Sequence, residues 1–298
     1  RGMEAVIYYA RTDGIELERM IRKGHFNMHG KHFHNQYEIF YLLEGERRFF
    51  FDNRSYLVKG GSLILVDENS IHMTTANSER EIGHDRIILY VERDKMKEFD
   101  RLFPNLNLVK FFHQHYGVFP LNERQQREFI DLYTRLQDEF DSRKRNYRAM
   151  IETEIIQYFI RFMRENHTPA IEHTDVSAPS KYQNIYAVAD YISEHFDETI
   201  TLDLLADQFY ISKYYLSRTF KEITGYGISE YLNIHRIREA KRLLEETDLS
   251  VQQIARKLGY ESITYFEKVF KTYMTMSPLK YRKTMNTVTY TNGPTSKP

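Results

Sequence analysis

Residues 205–231 read LADQFYISKYYLSRTFKEITGYGISEY, and residues 254–281 read IARKLGYESITYFEKVFKTYMTMSPLKY. The two strings carry one pattern twice, about fifty residues apart. Leu205, Ala206, Phe209, Ile211, Leu216, Phe220, Lys221, Gly225 and Tyr231 mark the first copy. Ile254, Ala255, Leu258, Tyr260, Phe266, Phe270, Lys271, Thr275 and Tyr281 mark the second. Each begins with a short amphipathic helix holding a small residue, then a turn of three or four residues, then a longer helix with apolar positions at helical spacing. That is the outline of a helix-turn-helix, written twice.

Local chemistry sets the boundaries of both copies. Thr201 and Ser212 stand where a side-chain oxygen would cap the two helices of the first, and Ser250 with Gln253 has the spacing of a capping box. Gly259 supplies the turn of the second copy. Helical phase sends Leu216, Phe220 and Ile223 inward in the first copy and Tyr265, Phe266, Val269 and Phe270 inward in the second. Left outside are Lys213, Tyr214, Ser217, Arg218 and Lys221 after Ser212, and Ile263, Thr264, Glu267, Lys268 and Lys271 after Ser262. Such faces suit phosphate contacts and base edges in a major groove. Residues 229–246 form a long amphipathic helix that would hold the two units apart, so that they enter successive major grooves roughly 34 Å apart.

Bulk charge does not point to nucleic acid. The 298 residues hold 42 basic and 42 acidic side chains, and residues 181–283 hold 15 basic against 14 acidic, so placement must do what net charge does not. Cysteine is absent, which removes disulfides, thiolate ligands and cysteine nucleophiles together. No apolar run is long enough for a bilayer helix and no signal peptide precedes the first strand, so a cytoplasmic protein without membrane attachment is expected.

The first half has a different period. Residues 37–43, 47–51, 62–66 and 86–91 alternate like strands between glycine and Asp-Asn breaks, which suggests a small sandwich or barrel. After residue 121 the period turns helical. Phe129, Leu132, Tyr133, Leu136 and Phe140 form one stripe, and Ile151, Ile155, Ile156, Phe159 and Phe162 another, predicting an antiparallel helix pair. The first stripe would be covered by the barrel or by a second subunit, with Arg124, Arg127, Glu128, Arg135 and Glu139 able to orient a pairing. Residues 167–180, with Pro169 and Pro179, read as a linker, and residues 285–298 as a tail.

His32-x-His34-x-x-x-Glu38 and the later His72 have the spacing of a metal quartet, because even-numbered positions of one strand share a face. Imidazole and carboxylate ligands suit manganese, iron, nickel or zinc. The alternative use is a pocket for a small polar effector, with His34, Tyr37, Glu38, Arg48 and His72 as hydrogen-bonding groups among aromatic walls.

Two resemblances follow from these residues. Residues 181–284 resemble the double helix-turn-helix domain of AraC/XylS-type bacterial transcription regulators. The string that carries it is Ile254-Ala255-x-x-Leu258-Gly259-Tyr260, then Phe266-x-x-x-Phe270-Lys271, then Ser277-Pro278-x-x-Tyr281-Arg282. The resemblance implies that the second helix of each unit reads DNA, placing Tyr214, Ser217 and Arg218 in one groove and Ile263, Thr264, Glu267 and Lys268 in the next. Thr275 stands where the family has glycine, and Glu267 would repel phosphate unless it accepts from a cytosine amine. The stretch containing His32, His34 and Glu38 resembles the first motif of the cupin barrel, and residues 61–72 the second. Phe26, Asp67 and Asn69 replace a glycine, a proline and a glycine of that pattern.

The expected fold class is therefore α+β multidomain. A cupin-like sensing and dimerisation domain spans residues 4–166, with the barrel at about 4–120 and the helix pair at 121–166, and an all-α double helix-turn-helix spans residues 181–284. The resemblance implies a homodimeric regulator, activator type included, that binds double-stranded promoter DNA and a small-molecule effector such as a sugar, and that contacts RNA polymerase. It implies no catalytic residue and no cofactor. A metal-dependent cupin enzyme or a metal sensor fused to the DNA-binding module is the alternative, with His32, His34, Glu38 and His72 as ligands.

Overall fold

The computed structural model describes residues 3–23, 36–51, 54–68, 70–76, 83–166 and 180–290, and divides after Ser177 into two compact units. The proposed linker lies outside the described residues except for Ser180, as do residues 291–298 of the tail.

The first unit begins with eight strands: β1 (Met3–Thr12), β2 (Ile15–Lys23), β3 (Gln36–Glu44), β4 (Glu46–Phe51), β5 (Arg54–Lys59), β6 (Ser62–Val66), β7 (His72–Ala76) and β8 (Gly83–Glu92). Helices α1 (Arg93–Leu102) and α2 (Leu108–His115), strand β9 (Gly117–Pro120), and helices α3 (Glu123–Ser142) and α4 (Tyr147–Glu165) follow. The strands make an antiparallel six-stranded sheet in the order β1-β2-β8-β3-β6-β9 and a three-stranded sheet in the order β5-β4-β7. Among the described residues the two sheets face each other without closing into one barrel. The expected barrel range also holds α1 and α2, where Met96, Phe99, Phe111 and Phe112 turn the strand period into a helical one.

Strand β3 shows how alternation divides the core. Tyr37, Ile39 and Tyr41 belong to a cluster with Phe99, Phe112, Phe129 and Phe159 on the helix side. Phe40 and Leu42, pointing the other way, join Phe49, Phe51, Val58 and Ile64 between the sheets. The stripe Phe129, Leu132, Tyr133, Leu136 and Phe140 is fully committed to the helix-side cluster of its own chain. Truncating Phe129 to alanine there would cost about 3–5 kcal/mol. Charged neighbours are engaged within the helix pair as well: Arg124 bridges Glu128 and Glu165, and Arg135 meets Glu154 at 2.8 Å.

The second unit is helical: α5 (Ser180–Glu194), α6 (Leu202–Gln208), α7 (Lys213–Thr224), α8 (Ile228–Glu246), α9 (Val251–Lys257), α10 (Ile263–Met274) and α11 (Pro278–Tyr290). Along α8, Tyr231, Leu232, Ile234, Ile237, Ala240 and Leu244 are buried, so this helix is the spine both repeats pack on. Two arginines fasten the loops to it. Arg236 donates to the carbonyls of Phe196 and Glu198 at 2.6 and 2.8 Å and lies over the Tyr260 ring. Arg282 donates to the carbonyls of Leu244 and Leu249 at 3.3 and 2.7 Å, while Tyr281 hydrogen-bonds Glu245. Arg282 of the sequence motif thus satisfies the carbonyl of Leu244 in the last turn of α8 and that of Leu249 beyond it, while its neighbour Tyr281 ties to the Glu245 carboxylate.

Candidate nucleic-acid interface and effector cavity

Both repeats place their second helix by the same chemistry. The Ser212 hydroxyl accepts from the Tyr215 amide and starts α7, and the Ser262 hydroxyl accepts from the Tyr265 amide and starts α10. Upstream, Thr201 caps α6, and Ser250 with Gln253 forms a complete capping box on α9. The first helix of each repeat ends in a Schellman motif. Tyr210 and Ile211 donate to the carbonyls of Asp207 and Ala206, and Gly259 and Tyr260 donate to those of Arg256 and Ala255.

Helix α7 buries Leu216, Phe220 and Ile223 and exposes Lys213, Tyr214, Ser217, Arg218 and Lys221 along with its cap Ser212. Helix α10 buries Phe266, Val269, Phe270 and Met274. It exposes Thr264, Glu267, Lys268 and Lys271, with Ser262 exposed and Ile263 half-buried. One assignment changes: Tyr265, expected inside, is 51% exposed, because N3 of a helix beginning at Ile263 falls at the margin of the apolar stripe. Tyr215 holds the equivalent margin in the first repeat. Lys213 forms an ion pair with Asp203 of α6 across exposed surface, a contact worth no more than about 1 kcal/mol.

The first unit holds a cavity of about 230 Å³ between its sheets, lined by Glu18, Met20, Arg22, Glu38, Phe40, Phe49, His72, Thr74, Arg86, Ile88 and Tyr90. Glu38 and His72 come together there, with Oε1 and Nε2 3.5 Å apart. The His72 Nδ1 lies 3.1 Å from the Ser70 carbonyl, which can only accept, so this nitrogen carries a proton. Burial works to lower the pKa of His72, but the Glu38 carboxylate and the Ser70 carbonyl outweigh it and the net shift is upward. Arg86 bridges to Glu18 at 3.1 Å and lies over the Phe40 ring, so fixed charges of both signs stand against an aromatic wall.

Two proposed pocket residues lie elsewhere. Tyr37 precedes Glu38 on β3 and therefore points to the opposite side, where its ring meets Phe112 edge-on at 5.2 Å. Arg48 is half-buried and does not line the cavity; its neighbour Arg47 is buried and donates to the Thr74 hydroxyl at 3.0 Å. His32 and His34 lie outside the described residues, and among the described residues no three metal-ligating side chains converge. The sequence reading missed Glu18, Arg22, Arg86 and Tyr90. Their signal was the run of same-face polar residues on β2: Glu16, Glu18 and Arg22 share one face of that strand and pair with Tyr90, Ile88 and His84 of β8.

Comparison with known proteins places both units. A helix-turn-helix domain family matches residues 205–284, and an AraC-like ligand binding domain family matches residues 19–159. The HTH-type transcriptional activator RhaS of an Enterobacter species is 24% identical over 255 residues, covering 85% of this chain and 87% of that protein. The uncharacterised HTH-type transcriptional regulator YijO of Escherichia coli is 34% identical over 119 residues, covering 40% of this chain. That match spans 42% of the length of YijO. The DNA-binding domain of AdpA, solved with a target DNA, is 28% identical and covers 37% of this chain and 98% of its own, with a TM-score of 0.35. No described helix is long and apolar enough to cross a membrane.

Proposed function

The chain belongs to the AraC-type transcription regulators, and from that membership we propose that it binds promoter DNA through α7 and α10 under the control of a small molecule held between its two sheets. The observation that carries this reading is the pair of serine-capped helices, each burying an apolar stripe on the spine of α8 and exposing a polar face of the kind that enters a major groove. On the first of these faces Ser212, Lys213, Tyr214, Ser217, Arg218 and Lys221 are the contacts. On the second they are Ser262, Ile263, Thr264, Glu267, Lys268 and Lys271. Arg218 is assigned bidentate readout of a guanine, and the lysines hold phosphate.

The cavity, at about 230 Å³, is smaller than the roughly 300–1,000 Å³ of drug-sized sites and restricts the effector to a small molecule. Glu18, Glu38, His72 and Arg86 supply donors and acceptors, and Phe40 and Phe49 an apolar wall. An occupant that binds one arrangement of the first unit better than another shifts the population between them, and with it DNA affinity. Homodimerisation, recruitment of RNA polymerase and residence in the cytoplasm belong to the same proposal, as does sensing without turnover.

A thermal-shift screen of small polar metabolites on the full chain, followed by mobility-shift assays on genomic promoter fragments, tests it. A metabolite that raises the melting temperature and changes DNA affinity, with both effects lost in Arg86→Ala, is the expected result. A metabolite acting equally on the variant removes the cavity from the account. Stoichiometric metal lost in His72→Ala would favour the metal-sensor reading that the proximity of Glu38 and His72 keeps in play.

A further inference from the structure

The Schellman motif that ends the first helix of each repeat needs its C′ residue in the left-handed region, where any side chain crowds its own backbone. The second repeat meets this need with Gly259 at φ +75°. The first repeat uses Tyr210 at φ +55°. The hydrogen bonds are the same in both, so the fold imposes one conformation and the chain has placed a large aromatic where glycine serves better. Nothing in the described chain compensates the choice. Tyr210 is 96% exposed, and its backbone alone takes part in the motif.

Its position supplies a reason. Tyr210 lies two residues before Ser212, the cap of α7, and Tyr214 in the first turn of that helix is 77% exposed. The N-terminal end of a reader helix is the part that enters the groove, so a side chain emerging just before it meets the groove wall. From this we infer that Tyr210 is a DNA-contacting residue of the first repeat, whose phenolic hydroxyl donates to a phosphate oxygen while its ring covers the adjoining sugar. The contact positions α7 without carrying sequence information, because phosphate and sugar are the same at every step. This inference rests on α7 being a DNA reader.

The test uses the full-length protein and a labelled duplex that the wild-type protein has enriched from a random-sequence pool. Tyr210→Gly should melt at the same or a higher temperature than wild type and bind that duplex about 5–10-fold more weakly, with the same loss on an unrelated duplex at low salt. Tyr210→Phe should keep the wild-type melting temperature and show most of that loss, since it lacks only the hydroxyl. Unchanged affinity in Tyr210→Gly, a lowered melting temperature accompanying the loss, full affinity in Tyr210→Phe, or a changed sequence preference would each overturn the assignment. Failure of the wild-type protein to enrich any duplex would instead overturn the reading of α7 itself.

Discussion

The two helix-turn-helix units share a plan and differ in where they place glycine. Each needs two left-handed residues, one after its first helix and one after its second. The first repeat has Tyr210 at φ +55° and Gly225 at φ +82°, and the second repeat has Gly259 at φ +75° and Thr275 at φ +59°. One glycine and one strained residue per unit, in opposite order, means that neither copy is the relaxed version of the other. The reason differs by site. A Cβ on Gly259 would stand 2.4 Å from the Asp197 carbonyl oxygen and 2.8 Å from Arg236 Nη2, so glycine is required there by the neighbouring loop, whereas Tyr210 points into solvent.

The outer faces differ too. The α7 face offers Lys213, Arg218 and Lys221 without an acidic residue among its proposed contacts, although Asp203 partners Lys213. The α10 face mixes Lys268 and Lys271 with Glu267 and the half-buried Ile263. On the proposed reading the first repeat would be the stronger holder of phosphate, and the second the more selective or weaker.

Substitutions can break this comparison, the largest effect first. Gly259→Ala should destabilise the second unit by about 2–4 kcal/mol, combining the left-handed strain with an overlap against backbone that cannot move aside. Urea denaturation followed by helical circular dichroism reads it, and a change below 1 kcal/mol would mean the loop at Asp197 yields. Arg218→Ala should weaken DNA binding by about 1–3 kcal/mol and relax specificity at one base position. Lys268→Ala should cost less, act uniformly across sequences and reduce the salt slope by about one. An equal loss at both positions in fluorescence anisotropy would erase the asymmetry. Thr275→Gly should stabilise the fold by about 0.5–1 kcal/mol, because it relieves a β-branched side chain in the left-handed region while adding freedom to the unfolded chain. A lower melting temperature would instead show that the bond from its hydroxyl to the Met274 carbonyl, 2.7 Å long, matters more than the strain. Glu267→Gln should tighten binding by only a few tenths of a kcal/mol at low salt, since the repulsion it removes is exposed and screened. Weakening would indicate that Glu267 accepts from a cytosine amine.

Helical phase and caps made most of the second unit legible from sequence, because every apolar position assigned to α7 is buried and every assigned cap is formed. Tyr265 escaped because the stripe has an edge, and an aromatic on that edge satisfies a hydrophobic pattern while staying half outside. In the first unit β3, β4, β6 and β8 were legible as strands and the stripe on α3 was right in every residue, while β1, β2, β5, β7 and β9 had no individual assignment. The cavity was not legible, for two reasons. Adjacent strand residues such as Tyr37 and Glu38 cannot face one pocket, and β4 gives the cavity Phe49 rather than either of its arginines, Arg47 or Arg48. Glu18 and Arg86 form a pair 68 positions apart in the chain, which only the β2–β8 register brings together.

The central claim is a bipartite reader with unequal halves, and sequencing the duplexes that the full-length protein enriches from a random pool tests it most directly. Two elements about one helical turn apart, roughly 10 base pairs, are the expected result. The sharper element should lose its best-specified base in Arg218→Ala, and the other should survive that substitution. A single element, or two whose base preferences are untouched by Arg218→Ala, would contradict it.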